Sequence, residues 1–317
     1  MDSASPRDPG PLVRALSSRF TDFSILLDPE QSKDFPFFLE WLRRGDHGTM
    51  SFLERNPYRR RSISDGYPGY RTAILGLLPS DARLPDPEQS GVKVRIARYA
   101  VGRDYHRVFT ERFKAVLSEI APFLDRGEKP LIKPDHGAIL EKSLAQSAGL
   151  GRIGRHTLLI HRKMGTRFTI GVMLMKTPFL SWRPPLDDFM PCGSCTLCLD
   201  SCPTQAFSGP FRLDARKCLS YLTIESPKSE TPGKIPADVP NNWIFGCDIC
   251  QEVCPYNGSA GAFSGGETIV TSPSDLIRLA KENPSLERVG VAALWKRYEE
   301  IKGPNANNFP KMNQEGL

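Results

Sequence analysis

Eight cysteines carry the clearest chemistry in this chain, and all of them lie between Cys192 and Cys254. Cys192, Cys195, Cys198 and Cys202, followed by Pro203, form a C-x-x-C-x-x-C-x-x-x-C-P run. This is the spacing of bacterial ferredoxins, in which the first three thiolates hold one four-iron cubane and the fourth reaches across to the other. A zinc ribbon uses two separated pairs, whereas three cysteines so close together wrap one cluster corner by corner. The second run, Cys247, Cys250, Cys254 and Pro255, is one cysteine short of a full copy, and Cys218 supplies the difference. The total satisfies two 4Fe-4S clusters. By the crossing rule Cys192, Cys195, Cys198 and Cys254 hold the first, and Cys202, Cys218, Cys247 and Cys250 hold the second. Gly193 and Gly246 adjoin ligands. Each either serves a turn or lets a backbone N–H approach sulfur and raise the cluster potential.

The elements that must position these thiols are legible in outline. Apolar positions at helical spacing run through Phe35–Arg44, which ends at Gly45, and through 105–123. Residues 73–78, 158–161 and 168–175 are short apolar runs bounded by turn formers and read as strands. Residues 79–91, rich in Pro and Asp, read as a surface loop. The pattern predicts an α+β protein with three parts. An N-terminal α/β reductase domain spans 1–181, a ferredoxin-like two-cluster domain spans 182–265, and a short helical tail spans 266–317. Helical patterns at 274–281 and 291–301 lie in that tail, and the last fifteen residues are expected to fray. Two polar stretches, 226–242 and 257–266, separate and follow the cysteine groups.

Composition narrows the setting. The chain has 317 residues, 42 Lys+Arg against 36 Asp+Glu and a net charge of +6. That excess is compatible with an anionic partner without requiring one. The N-terminus lacks the charged-then-apolar pattern of a signal peptide, so a cytoplasmic location is expected. The longest strongly apolar stretch, 170–175, is far shorter than the roughly 18 residues of a membrane span. In a reducing cytosol clustered cysteines point to metal rather than to disulfides.

A cluster pair alone is a wire, and a carrier would not need 190 residues of folded chain ahead of it. That region has no G-x-G-x-x-G after a strand and no G-x-x-x-x-G-K-[ST], so neither a dinucleotide nor an ATP site is signalled. The nearest approach to a D-x-H-x-x-G cobalamin motif, Asp104 to Phe109, lacks the glycine.

Five stretches do carry a specific likeness: HGTM (47–50), RYAVGRDYH (98–106), DHGAILEK (135–142), GLGRIGRHT (149–157) and CLSYLTIE (218–225). With the cysteine run through Ala206 and GCDICQEVCPYN (246–257), they resemble the tRNA epoxyqueuosine reductases, in the same order, over roughly residues 35 to 257. The resemblance implies an N-terminal domain that binds cobalamin beside a two-cluster ferredoxin domain. It implies reduction of epoxyqueuosine to queuosine at the tRNA wobble position, with an external electron donor and a monomeric protein. It places the proton donor at Asp135 and makes Arg60, Arg98, Asp135, Gly154, Arg155, His156, Thr157 and Ser220 candidates to line the corrin. The chain departs from the family pattern at His136, Gly137 and Arg152. The sequence also ends at Leu317, without the helical-repeat tail that many members use against tRNA.

Two other readings share parts of this pattern. A reductive dehalogenase-like cobalamin enzyme would act on a small organohalide, and a plain ferredoxin-type carrier would carry an inert N-terminal domain. All three share the iron content. Elemental analysis of anaerobic protein is expected to give about eight irons per chain and little zinc. Cys195→Ala and Cys254→Ala are expected to remove the same spectroscopic signal, and Cys218→Ala the other.

Overall fold

The computed structural model describes residues 5–80, 92–101, 103–184, 188–226, 243–257, 267–270 and 273–282, with single positions between 286 and 297. The expected loop at 81–91, most of the polar stretches at 226–242 and 257–266, and the last fifteen residues lie outside them. In chain order the first elements are α1 (Gly10–Ser17), β1 (Asp22–Leu27), α2 (Phe35–Arg43), α3 (Ile63–Gly66), β2 (Thr72–Pro79) and β3 (Val92–Ile96). They are followed by α4 (Tyr105–Ile120), β4 (Leu131–Lys133), α5 (Glu141–Ser147), β5 (Arg152–Ile153), β6 (Leu159–Ile160) and β7 (Phe168–Met175). The cysteine region adds α6 (Leu197–Asp200), β8 (Phe207–Gly209), β9 (Arg212–Leu213), α7 (Leu219–Ile224), β10 (Trp243–Phe245) and α8 (Ile249–Glu252). Last come β11 (Glu267–Val270) and α9 (Pro273–Glu282).

β2 and β7 are apolar on both sides, as strands in a sheet covered on both faces must be. They form the centre of an antiparallel sheet of order β1-β2-β7-β4. One face, carrying Ile74, Leu78, Met173 and Met175, packs on Leu12 and Leu16 of α1 and Phe109, Phe113 and Val116 of α4. The other, carrying Ala73, Leu75, Leu77, Val172 and Leu174, packs on Leu144 and Ala145 of α5 and Ile63 of α3. Burial of these two apolar sets is the main force holding the layers together.

The expected helices form with small changes at their ends. α2 stops where Gly45 takes φ +66°, the left-handed conformation that ends helices. α4 begins at the cap residue Asp104, whose carboxylate accepts the His106 N–H at 3.1 Å. It gives way at Ala121–Phe123 to a single tighter turn. The described positions 293, 294, 296 and 297 are helical, within the segment read as a helix.

The three sequence ranges are joined by a second sheet. β3, from the first, pairs in parallel with β10 from the second and antiparallel with β11 from the third. Leu276 and Ala280 of α9 bury against Ile96, Ala100, Ile244 and Phe245.

One packing detail fixes the central sheet against α4. Gly76 and Gly171 face each other across β2 and β7. A methyl group at Gly76 would run into the ring of Phe20, and one at Gly171 into the ring of Phe109. Those two rings stack at 5.9 Å between centroids. Gly171→Ala is therefore expected to lower stability by about 1–3 kcal/mol through overpacking. Urea denaturation should show a lower midpoint at unchanged slope.

Candidate active site

The loop after β4 carries Asp135 in an uncommon conformation, with φ +60°. Two residues later Gly137 sits at φ +147°, and a Cβ there would collide with the Tyr67 hydroxyl, which accepts the Ala138 N–H at 2.8 Å. The loop is thus pinned from behind by Tyr67. In front, the Tyr105 hydroxyl at the start of α4 donates to Asp135 Oδ2 at 2.7 Å. Tyr105 is fixed in turn by ring contacts with His106, at 4.0 Å, and Tyr99, at 6.1 Å. Burial, and then the Asp135 charge, hold its phenol far above the ordinary tyrosine value, so it remains a donor.

Tyr105 and Asp135 line a cleft of about 310 Å³, together with Arg98, Glu141, Lys142 and Asp248. Glu141 and Lys142 open α5. Enclosure in the cleft wall, reinforced by the nearby Asp135 charge, pushes Glu141 up to about 7. Lys142 is open to solvent within the cleft yet surrounded by protein. That surrounding lowers its ammonium from the usual lysine value against the opposing pull of Glu141, Asp135, Asp34 and the Cys250 sulfur. Asp248, buried and accepting the Arg98 backbone N–H at 2.7 Å, is raised to about 6 by its burial.

The opposite wall belongs to the cysteine region: Gln251 and Glu252 follow Cys250 directly and line the same cleft. All eight cysteines are free thiols. Burial pushes Cys198 up to about 11, and the charges of Cys192, Cys254 and Cys195 add to it. Cys254, raised first by burial, also feels Cys192 and Cys195. Cys247 is pushed up to about 12 by burial, with Cys218 and Cys202 among its neighbours. Cys250, raised by burial, feels Cys247 and Cys218 most strongly among the thiols and Cys198 last. Backbone N–H groups offset part of this at Cys218, Cys247 and Cys254; the Ala206 N–H donates to Cys202 Sγ at 3.3 Å. So many mutually repelling sulfurs on one short segment suit cationic iron, which displaces their protons. Gly246, at φ +68°, passes so close to Ala97 that a Cβ would strike it, and its N–H donates to Thr223 Oγ1 at 2.9 Å. Its role is close backbone approach, and that N–H is not spent on sulfur.

The remaining candidates fall in different places. Arg60 lines a second cavity of about 500 Å³ with Asp34, Arg61 and Ser143, its guanidinium 5.9 Å from the Phe38 ring centre. Gly154 and Thr157 close the β5–β6 turn, with Thr157 at φ +66°. The Arg155 side chain donates to the Gly193 carbonyl at 2.7 Å. Ser220 hydrogen-bonds to Cys218. His156 is buried; its Nδ1 accepts the Leu158 N–H at 3.2 Å, and its Nε2 has no hydrogen-bond partner. Burial and the Lys142 charge lower it to about 4, so it is neutral. The G-x-G-x-x-G string at 149–154 follows helix α5 rather than a strand, outside the context of a dinucleotide site. Tyr105, Glu141 and Lys142 were not singled out by sequence reasoning, although all three stand inside motif stretches. Their chemistry appears only when α4, the Asp135 loop and α5 meet.

Comparison with known proteins decides the family. The family profile described as a 4Fe-4S double cluster binding domain matches residues 191–257, and that described as epoxyqueuosine reductase QueG, DUF1730, matches residues 60–129. The epoxyqueuosine reductase of Pseudomonas aeruginosa is 35% identical over 280 residues, covering 84% of this chain and 74% of that protein. That of Vibrio cholerae is 36% identical over 311 residues, covering 90% and 80%. The chain belongs to the epoxyqueuosine reductase family. The fold agrees: an epoxyqueuosine reductase solved with a tRNA-Tyr epoxyqueuosine-modified stem loop superposes with a TM-score of 0.73 at 21% identity, over 91% of this chain and 79% of that one. The enzyme from Streptococcus thermophilus gives 0.73 at 20% identity with the same coverage. As in its relatives, this reductase is an oxidoreductase with an iron–sulfur region in its C-terminal part. Among the described residues no helix is long and apolar enough to cross a membrane.

The Glu141 carboxyl makes a pH prediction for this reductase. Its value rises from 4.5 to about 7 on folding, so between those limits the folded state holds a proton that the unfolded chain has released. This group's contribution to stability therefore falls as pH rises from about 4.5 to about 7. Urea titrations at pH 5 and pH 8 should show wild type losing more stability across that interval than Glu141→Gln.

Proposed function

We propose that this chain reduces epoxyqueuosine in tRNA to queuosine, in the cytoplasm and as a monomer, with the Asp135 cleft as the reaction site. The supporting observation is the Tyr105–Asp135 pair in a cleft whose far wall is the chain around Cys250. Epoxide removal takes up two electrons and two protons and leaves an alkene and water. Asp135 delivers a proton to the opening oxygen. Tyr105 holds one carboxyl oxygen through its own O–H, so the proton that Asp135 takes up before the step leaves from the other. Lys142, which lines the cleft with Asp135 and feels the charges of both Asp135 and Cys250, favours negative charge developing in it.

The two clusters take the cysteines in the sets that crowd one another: Cys192, Cys195, Cys198 and Cys254 in one, Cys202, Cys218, Cys247 and Cys250 in the other, with the second beside the cleft. Cobalamin fits the same reading. The cleft is partly apolar, and the buried Nε2 of His156, near Lys142, has no partner within the protein, an unmet polar atom of the kind a bound cofactor amide would satisfy. Arg98 and Asp135, which line the cleft, would contact the group there, and the turn Gly154 to Thr157 leads into the lining residues Leu158 and Leu159. When bound, it supplies a strongly reducing cobalt centre that accepts cluster electrons. The tRNA base enters as an unstacked loop nucleotide, the form in which RNA is read at a buried site.

Asp135→Asn keeps the shape and removes the ionisable proton. Anaerobic single-turnover reduction of epoxyqueuosine-containing tRNA, followed by nucleoside mass spectrometry, should fall by about 10²- to 10⁴-fold, the usual worth of general acid catalysis. Iron content and corrin absorbance should not change. A rate within about threefold of wild type would remove Asp135 from the acid role.

A further inference from the structure

The reduction consumes two electrons that come from outside the chain, and the surfaces beside the two thiol sets are built differently. Next to the second set the flanking side chains are sealed: Ala206 is 1% exposed, Leu219 2% and Phe245 0%. Next to the first set they are open. Met190, two residues before Cys192, is 75% exposed; Leu197, between Cys195 and Cys198, 50%; and Tyr256, two after Cys254, 37%. Phe211, 58% exposed, joins them at the tip of the β8–β9 hairpin, where its backbone N–H donates to the carbonyl of the same Arg155 whose guanidinium reaches Gly193. None of the four lines the cleft. Solvent-facing apolar side chains gathered around one feature mark an interaction surface rather than a random scatter.

The position and charge of this patch select its occupant. Electron tunnelling weakens exponentially with distance, so a donor must seat against the centre nearest the surface, and the first thiol set is the one reached here. Arg155 stands at one rim. Arg162 stands at another, its guanidinium 5.2 Å from the Phe189 ring centre, and that ring meets Tyr256 edge-on at 5.3 Å. Asp200, on the same segment, accepts from the Thr196 hydroxyl at 2.7 Å and keeps its charge, and the exposed Arg212 that follows Phe211 adds a further cation against it. An apolar centre with cationic rims suits an acidic partner, and redox encounters need only a small contact area.

We propose that Met190, Leu197, Phe211 and Tyr256, rimmed by Arg155 and Arg162, form the docking surface for a small acidic one-electron carrier protein. This rests on the two-cluster reading above. With a flavin carrier, each encounter moves one electron: the anionic flavin hydroquinone becomes the neutral semiquinone, and the cluster is reduced by one electron with no proton transferred. Two encounters supply one epoxide.

The test uses the anaerobic, cluster-loaded protein and an acidic flavodoxin as probe. Binding of oxidised flavodoxin is measured by calorimetry, and cluster reduction by flavodoxin hydroquinone and by dithionite is followed in stopped flow. Met190→Glu and Leu197→Glu should each weaken flavodoxin binding and slow flavodoxin-driven reduction by about tenfold or more, as expected for the centre of an interface. Arg162→Glu should reduce the dependence of that rate on salt. Dithionite reduction, iron content and affinity for a tRNA stem loop should stay at wild-type values. If Leu197→Glu loses iron, Met190→Glu, which lies outside the cysteine run, decides. Wild-type protein that fails to bind flavodoxin at low salt, or glutamate variants reduced by it at the normal rate, would overturn the proposal. Loss of stem-loop affinity with donor kinetics intact would overturn it as well and assign the patch to RNA. A wild type without two four-iron signals would instead defeat the two-cluster reading, independently of any docking result.

Discussion

The contact between Ile96–Arg98 and Trp243–Asp248 is the constraint on which the rest depends. Here the strand before α4 meets the strand before the second cysteine run, with the Ala97 N–H donating to the Phe245 carbonyl at 2.8 Å and the Arg98 N–H to the Asp248 carboxylate at 2.7 Å. Gly246 allows it, because any side chain there would collide with Ala97. Across this contact the cysteine region is held as a wall of the cleft rather than as an appended module. The α9 residues that bury against Ile96 and Ala100 brace it from behind. A looser join would leave Cys247 and Cys250 at a variable distance from Asp135. Backbone hydrogen bonds backed by a buried carboxylate make that distance a property of the fold.

What this fixed wall creates is a small volume in which charges must answer one another. Asp135 is held by the Tyr105 hydroxyl, Glu141 is pushed up to about 7, Lys142 is lowered, and His156 is kept neutral at about 4. Each of these shifts begins with enclosure, and each is then adjusted by a neighbour in the same group. Lys142 is common to them, because it opposes Glu141 and Asp135, lowers His156 and faces Cys250. Such a set can hold and release protons without leaving a lone buried charge, which is what chemistry at an opening epoxide requires.

The parts of this arrangement legible in the sequence are those set by short-range rules. Cysteine spacing is dictated by cluster geometry, so a run of residues displays it whole. α4 shows its 3.6-residue period because only one face is covered. β2 and β7 stand out as apolar runs, yet β1, equally buried, is only Asp22–Leu27 and was not separable from its surroundings. β3 was missed although Val92–Ile96 alternates apolar and charged residues, the period-two signal of a half-covered strand; its neighbours, far along the chain, are what no local pattern displays. The same holds for the division of residues 1–181, 182–265 and 266–317, which a composition shift suggests and which one shared sheet then ties together. Asp135 was found only through the motif that contains it. Nothing in its own spacing distinguishes it from a solvated loop carboxylate, and its partner Tyr105 is 30 residues away.

The layout also separates two supplies that must not meet early. In the proposed reaction, protons reach the cleft through side chains on the first sheet's helices and loops, Tyr105, Asp135 and Glu141. In the proposed wiring, electrons come through the cysteine region, entering where Met190 and Leu197 face solvent and leaving beside Cys250. A reducing centre open to water and acid would spend its electrons on protons. Ala206, Leu219 and Phe245 cover flanks of the inner thiol set, while the exposed end is a place where a protein partner can fit. In that wiring the contrast between the open and covered flanks of the two thiol sets carries function. It follows from where the chain places small and apolar residues between its ligands.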